Sequence, residues 1–300
     1  MRVSTQMMQR IAVDGLLERQ STLSRTQQQL ATGKRILSPS DDPTGTTQAL
    51  AFKQQLVQNE QYNSNINQLK SRLEAEESVL EGVGNALLRV RELAEQGANN
   101  NYDIQSRTNI ATEVRLLLDE VLGLANSKDG RGEYLFSGYQ SDTQPFTDGG
   151  LGNYTYQGDQ AQRRMQISPT REVQSSDSGS EIFENLDIVA GGKQNIFKTI
   201  YDLATDLEAN NTGGNILADL DTALDSVFTT RAKVGARINA VDAQDQINLQ
   251  YETQTKAVLS EIEDLDYAEA VGRLNVELAG LQAAQQSFQR IQNLSLFNSL

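Results

Sequence analysis

Residues 66–94 carry apolar side chains in alternating steps of three and four along the stretch INQLKSRLEAEESVLEGVGNALLRVRELA, with Glu76 as the one interruption. Four heptads of this kind predict a helix that packs in a coiled-coil seam. Because residues 44–144 contain no proline, that helix can extend from about residue 44 to residue 97. At about 1.5 Å per residue it would span ~75 Å, which is more than the diameter of a compact domain.

Helical spacing continues on the carboxyl side of this segment. A turn signal at 97–101 precedes a third predicted helix, whose apolar residues run from Ile110 to Leu124. So short a turn makes the two helices antiparallel neighbours. Another helix is predicted for 196–207, and residues 215–300 contain no proline and keep apolar heptad positions over their first part.

The two ends of the chain carry narrower apolar stripes. Leu16, Leu23 and Leu30 recur every seven residues in a helix predicted at about 4–32, but the second heptad position is polar. One apolar position per heptad buries too little surface to offset the ordering entropy of a short helix. We therefore expect this stripe to be buried between subunits. Each leucine buried there would contribute ~1.5–3 kcal/mol. Packing within its own chain is the alternative. The stripe near the carboxyl end comprises Leu274, Leu278, Leu281 and Phe288, followed by Ile291, Leu294, Leu296 and Phe297.

A defined connector joins the first two helices. Gly33 is placed to end the first helix, and Asp42, which precedes a proline, is placed as the N-cap of the second. Adjacent carboxylates at a helix start are far more often a cap than an acid–base pair, which argues against catalysis by Asp41 and Asp42. Lys34 and Arg35 would pair with these carboxylates across subunits, or would remain solvated charges.

Residues 131–190 differ in composition, being rich in glycine and aromatic residues. Short strands are predicted at 134–136, 153–157 and 164–168, with a turn at 158–159 joining the last two. We expect a small β-rich insert whose core is its aromatic cluster. A carbohydrate-binding face is a minority alternative for this cluster.

The order of these elements predicts a mainly α fold. The helices at both ends of the chain have about one apolar position per heptad, and they flank helices with two. The insert lies in the middle, so the two ends can meet only if the chain reverses direction at the insert. The predicted architecture is an elongated rod of long coiled-coil helices with both termini at one end and the β-rich insert at the other. The predicted domains are 1–43 with 266–300 for assembly, 44–130 with 191–265 as a helical bundle, and 131–190 as an outer domain.

Composition and charge exclude several classes of function. The chain lacks histidine, cysteine and tryptophan, which excludes a Ser-His-Asp triad, a cysteine nucleophile and metal sites built on His or Cys. The net charge is −14; residues 1–50 sum to +2 and 271–300 to +1, which leaves −17 for 51–270. Such a chain repels nucleic acid and anionic membranes. No stretch is apolar enough to span a membrane, and the first residues lack the apolar core of a cleavable signal.

The most distinctive segments are Pro39–Pro43, PSDDP, and Glu133–Gly138, EYLFSG. Further matching segments are Met1–Thr5, Leu30–Ile36, Asp142–Phe146 and Asn293–Phe297. Together they resemble the bacterial flagellin family, and within it the hook-associated branch more than the filament flagellins.

This resemblance implies a structural protein without catalysis or a cofactor. Proteins of this kind leave the cell unfolded through the flagellar type III export channel, and their terminal helices order on assembly as the inner layer of a tube. The resemblance therefore implies an extracellular homo-oligomeric ring or helical layer that joins hook to filament. Its implied partners are flagellin, another hook-associated protein and an export chaperone.

Three other functions stay open at this point. A filament flagellin is the alternative within the same class. A soluble coiled-coil binding module would be a fully helical, protease-resistant monomer. A glycan hydrolase would depend on the acidic insert.

Overall fold

Helices dominate the chain. The computed structural model describes residues 5–211 and 214–297, and the mainly α class predicted from the spacing is confirmed. The predicted long helix begins at Pro43 and ends at Gly97, as expected. The helices in the described ranges are α1 Thr5–Thr32, α2 Pro43–Gly97, α3 Ile104–Ala125, α4 Ile196–Glu208, α5 Ile216–Glu263 and α6 Tyr267–Phe297.

Short antiparallel strands lie between α3 and α4. They form three two-stranded sheets, β1 with β2, β3 with β4, and β5 with β6. A single turn of π-helix, Ser180–Glu184, separates the second sheet from the third. The strands are β1 Phe146–Asp148, β2 Tyr154–Tyr156, β3 Arg164–Ser168, β4 Arg171–Gln174, β5 Leu186–Asp187 and β6 Lys193–Gln194.

The predicted strands at 153–157 and 164–168 are present, but the pairing expected between them is wrong. β2 pairs with β1 across a glycine-rich loop in which Leu151 has a φ of 54°, and β3 pairs with β4. Residues 134–136 form no strand. Their N–H groups donate to separate segments, Tyr134 to Ser141 and Leu135 to Ser127, so no continuous ladder develops.

The chain divides into two compact units. The first contains the residues up to Gln58 together with those from Gln250 onward, and the second contains Asn59–Leu249. The three-part division into 1–43 with 266–300, 44–130 with 191–265, and 131–190 stays a prediction.

The core of the second unit is the seam that the heptads predicted. Gly82 of α2 lies against Leu124 of α3, and Arg89 pairs with Glu113 over 2.8 Å, so α2 and α3 are antiparallel neighbours as expected. The seam residues of α2 that are fully buried include Ile66, Leu69, Leu73, Leu80, Val83, Leu87 and Val90.

An aromatic cluster forms the core beneath the strands. The ring centroids of Phe146 and Phe197 are 4.9 Å apart, and those of Phe146 and Phe183 are 5.6 Å apart with the rings nearly perpendicular. The aromatic core expected from the sequence is therefore confirmed, although Tyr139 is exposed. Phe183 and Phe197 also belong to this core, although they lie outside the aromatic-rich stretch of sequence on which the expectation was based.

Candidate assembly interface

The terminal helices α1 and α6 pack against each other within the first unit. Leu23 is only 8% exposed. Near it, the Thr26 hydroxyl donates to Glu277 Oε1 over 3.0 Å. The expectation that Leu23 is buried only between subunits is therefore wrong, because α6 of the same chain already supplies the partner surface that the half-seam lacked.

The remaining stripe residues are less completely covered. Leu16 and Leu30 on α1 are half-buried, and so are Leu274, Leu281 and Phe288 on α6. The side chains of Ile291, Leu294 and Phe297 lie outside the described residues. The role of these residues in contacts between subunits stays a prediction.

The α1–α6 pair also presents apolar side chains to solvent. Leu17 is 57% exposed and Val276 is 73% exposed. Heptad spacing does not single out either residue, because both lie off the stripe that faces the partner helix. Further exposed apolar residues of the pair are Met7, Ile11, Val13, Val271 and Leu278.

Two backbone hydrogen bonds join the connector after α1 to the segment where α5 ends and α6 has not yet begun. The Arg35 N–H donates to the Glu263 carbonyl over 2.7 Å, and the Leu265 N–H donates to the Gly33 carbonyl over 2.9 Å. Gly33 ends α1 with a φ of 69°, as expected, and a Cβ at this position would lie 2.7 Å from the Tyr267 hydroxyl. Glycine is therefore required both by the backbone and by the neighbouring ring.

Salt bridges within the chain hold the same region. Arg35 pairs with Asp42 over 3.2 Å, and Lys34 pairs with Glu263 over 3.2 Å. Lys53 also contacts the Glu263 carboxylate. The pairing of Lys34 and Arg35 with acidic groups, expected across subunits, thus occurs inside one chain, and the partner of Lys34 is Glu263. The sequence carries no local signal for this partner, which is 229 positions away.

Asp41 and Asp42 act as local caps. Asp41 accepts hydrogen bonds from the N–H groups of Leu37 and Ser38, each at 3.0 Å, and pairs with Arg25 over 2.7 Å. Partial burial alone would raise the pKa of Asp41, but the hydrogen bonds from the connector backbone and the Arg25 charge outweigh it and hold the pKa below its ordinary value.

Asp42 caps α2 as the sequence predicted. Its Oδ1 accepts from the Gly45 N–H over 2.8 Å, and Pro43 is the first residue of the helix. That hydrogen bond, followed by the one from Arg35, lowers the pKa of Asp42. Both carboxylates therefore stabilise the connector through hydrogen bonds from its backbone and from the start of α2.

Two family models match the chain over these helices. The bacterial flagellin N-terminal helical region matches residues 3–141, and the bacterial flagellin C-terminal helical region matches residues 217–300. The chain belongs to the flagellin family. Within this family, it is 29% identical to the flagellar hook-associated protein 3 of Salmonella typhimurium, over 99% of each chain.

Other similar proteins match less of the chain or match in fold alone. Flagellin 1 of Proteus mirabilis is 31% identical, but the match covers 47% of this chain and 38% of that protein. The crystal structure of the flagellar junction protein FlgL from Legionella pneumophila covers 72% of this chain and 99% of that one, with a TM-score of 0.63 and 20% identity.

This member of the flagellin family is a structural protein of the hook-associated type, and the relatives it matches are flagellar structural proteins rather than enzymes. Between residues 5 and 297, excluding 212–213, no helix is long and apolar enough to cross a membrane. The same residues contain no group of three or more acidic side chains arranged to hold a metal ion.

Proposed function

We propose that the chain joins hook to filament as the junction protein of the flagellum. The observation that carries this proposal is the extent of similarity. The match to hook-associated protein 3 runs the full length of both chains, whereas the match to flagellin 1 stops at less than half of each. A full-length match includes residues 142–216, which neither flagellin family model covers.

The joining step would be polymerisation through the α1–α6 pair. Exposed side chains such as Leu17 and Val276 would be removed from water between copies. The apolar area that they newly bury would contribute about 25 cal/mol per Å² toward the cost of association. The ends of the chain are slightly positive and residues 51–270 carry the negative charge. Contacts between ends therefore avoid the repulsion that the acidic middle would meet.

The proposal includes the partners and the location of the protein. One side of the ring or helical layer would contact another hook-associated protein, and the other side would contact flagellin. The chain would reach this place by flagellar type III export, bound beforehand to an export chaperone. Residues 1–43 with 266–300 would form the assembly domain, and 131–190 would be the outermost domain.

Seeded growth tests the proposal. Purified monomer is mixed with sheared hook fragments and, separately, with filament fragments, and both are imaged by electron microscopy, with purified flagellin as a control on both seeds. We expect a thin layer on hook ends that stops growing after a fixed thickness. Long tubes on filament seeds would instead make the chain a filament flagellin. No growth on either seed would contradict both assembly functions and favour a binding module.

A further inference from the structure

Glu76 is a carboxyl group buried in an apolar seam. It lies on α2 between Leu73 and Leu80, which are fully buried, and is itself only 1% exposed. Its Oε1 has no hydrogen-bond donor within reach. An ionised carboxylate with a buried oxygen that lacks both water and a donor is strongly unfavourable.

The group that faces Glu76 is another carboxyl group. Asp177, in the buried segment 175–180, lies within hydrogen-bonding reach of Glu76. Arg237 of α5 contacts Asp177 in a close salt bridge. Arg72, one turn before Glu76 on α2, is turned toward Asp129, which it binds over 2.9 Å.

The charges around Glu76 do not balance if every acid is ionised. Arg237 is used by Asp177, Arg72 by Asp129, and Arg163 binds Glu133 over 3.0 Å. Arg131 lies 3.8 Å from Asp129, but it is more than half exposed and solvent screens it. Three buried carboxyl groups, those of Glu76, Asp129 and Asp177, therefore share two largely buried guanidinium groups, those of Arg72 and Arg237. One proton on the carboxyl pair removes the excess charge.

We propose that Glu76 and Asp177 share one proton in the folded chain, and that this proton fastens segment 175–180 of the insert to helices α2 and α5. The carboxylic acid of Glu76 donates to the carboxylate of Asp177, which keeps its salt bridge with Arg237. When the proton leaves, two adjacent buried carboxylates repel each other and the attachment weakens. The inference does not rest on the junction function, because all of these residues lie in the second unit.

The electrostatics of the site agree with its geometry. Burial raises the pKa of Glu76 well above its ordinary value, and the charge of Asp177 raises it further, while Arg237 and Arg72 oppose the change. A carboxyl group with a raised pKa stabilises the fold fully below its unfolded pKa, and that contribution is lost as the pH rises through its folded pKa. Acid therefore tightens this attachment and alkali loosens it.

Segment 175–180 is well placed to transmit the change. The Gln174 side chain donates to Asp177 Oδ1 over 2.7 Å, and the Gly179 N–H donates to the Phe136 carbonyl over 2.9 Å. Phe136 belongs to the aromatic core of the insert. A displaced Asp177 thus disturbs the backbone that carries this core.

The shared proton can be detected directly in the folded full-length chain. Infrared spectroscopy at about pH 6, above the ordinary pKa of carboxyl groups, should show the carbonyl stretch of a protonated carboxylic acid. Glu76→Gln should remove this band. Asp177→Asn should also remove it, because Arg237 loses its carboxylate partner and is then available to neutralise an ionised Glu76. Glu81→Gln, an exposed residue of the same helix, is the matched control and should leave the band unchanged.

A second measurement follows the consequence for stability. The urea midpoint of the second unit should fall in the wild type as the pH rises above the ordinary pKa of glutamate, about 4.3, whereas Glu76→Gln should flatten this slope and Glu81→Gln should keep it. A wild-type spectrum without the acid band would overturn the proposal even if a variant failed to fold. A band that survived in both Glu76→Gln and Asp177→Asn would overturn it as well.

Discussion

The N–H group of Leu265 donates to the carbonyl of Gly33 over 2.9 Å. This bond joins the connector after α1 to the three residues between α5 and α6. One hydrogen-bonded junction therefore lies where α1 ends and where α6 begins. The following predictions concern this junction and the helices that leave it.

Gly33→Ala should destabilise the first unit. The left-handed backbone costs about 1–2 kcal/mol for a residue with a Cβ, and the new methyl group would also press on the Tyr267 hydroxyl. Urea unfolding of the monomer, followed by circular dichroism, measures the loss. Gly15→Ala is the control, because no atom lies within 4 Å of a Cβ there and alanine favours a helix by ~0.5–1 kcal/mol. Equal stability of the two variants would contradict the role assigned to Gly33.

Leu23→Ala should destabilise the isolated monomer by roughly 2 kcal/mol or more, because it leaves a cavity between α1 and α6. Leu17→Ala, on the same helix but exposed, should change the free energy of unfolding by less than about 0.5 kcal/mol. Thermal unfolding of both monomers distinguishes the two positions. If Leu23→Ala were as stable as the wild type, the packing of α1 on α6 would not hold in the monomer.

Leu17→Ser and Val276→Ser should impair polymerisation while sparing the monomer. Both side chains are exposed on the α1–α6 pair, so their loss removes apolar surface that only another copy would cover. Incorporation onto hook fragments, measured by sedimentation, should fall at least several-fold. Leu116→Ser, which alters an exposed leucine of α3 in the second unit, is the control. Normal incorporation of both test variants would place the contact elsewhere.

Asp41→Asn should weaken the connector at neutral pH and have little effect in acid. The pKa of Asp41 is lowered in the folded chain, so its contribution is present above its unfolded pKa and is lost as the pH falls through its folded pKa. Urea midpoints of wild type and variant should therefore differ near neutrality and converge as the pH falls below the ordinary pKa of aspartate, about 3.9. Asp14→Asn, an exposed position on α1, serves as the control. A constant difference between wild type and Asp41→Asn across this range would show that the charge is not responsible.

Local signals in the sequence were enough for most of the helices, for the end of α1 and for both ends of α2, but they did not predict the break between α5 and α6. The seam from Ile66 to Ala94 depends on spacing within one helix, and the end at Gly33 and the start at Pro43 depend on backbone preferences of single residues. Heptad spacing and helix ends depend on residues that are close together in the sequence. They do not require knowledge of where the chain returns.

Pairings between distant segments could not be predicted in the same way. Lys34 and Glu263 meet through the fold, and no spacing rule relates them. The strand expected at 134–136 failed because its apolar side chains are buried while its N–H groups bond to separate segments. Glu76 was visible as an interruption of the seam, but Asp177, the group that explains it, lies far along the chain.

The hydrogen bond between Gly33 and Leu265 also limits the order in which parts of the chain can fold. A polypeptide made or threaded amino end first presents residue 33 long before residue 265 exists outside the ribosome or a channel. Until then α1 has neither its ladder partner nor α6 to cover Leu23, and closing so large a loop must wait for nearly the whole chain. The first helix of the chain, α1, is therefore among the last to gain its tertiary contacts.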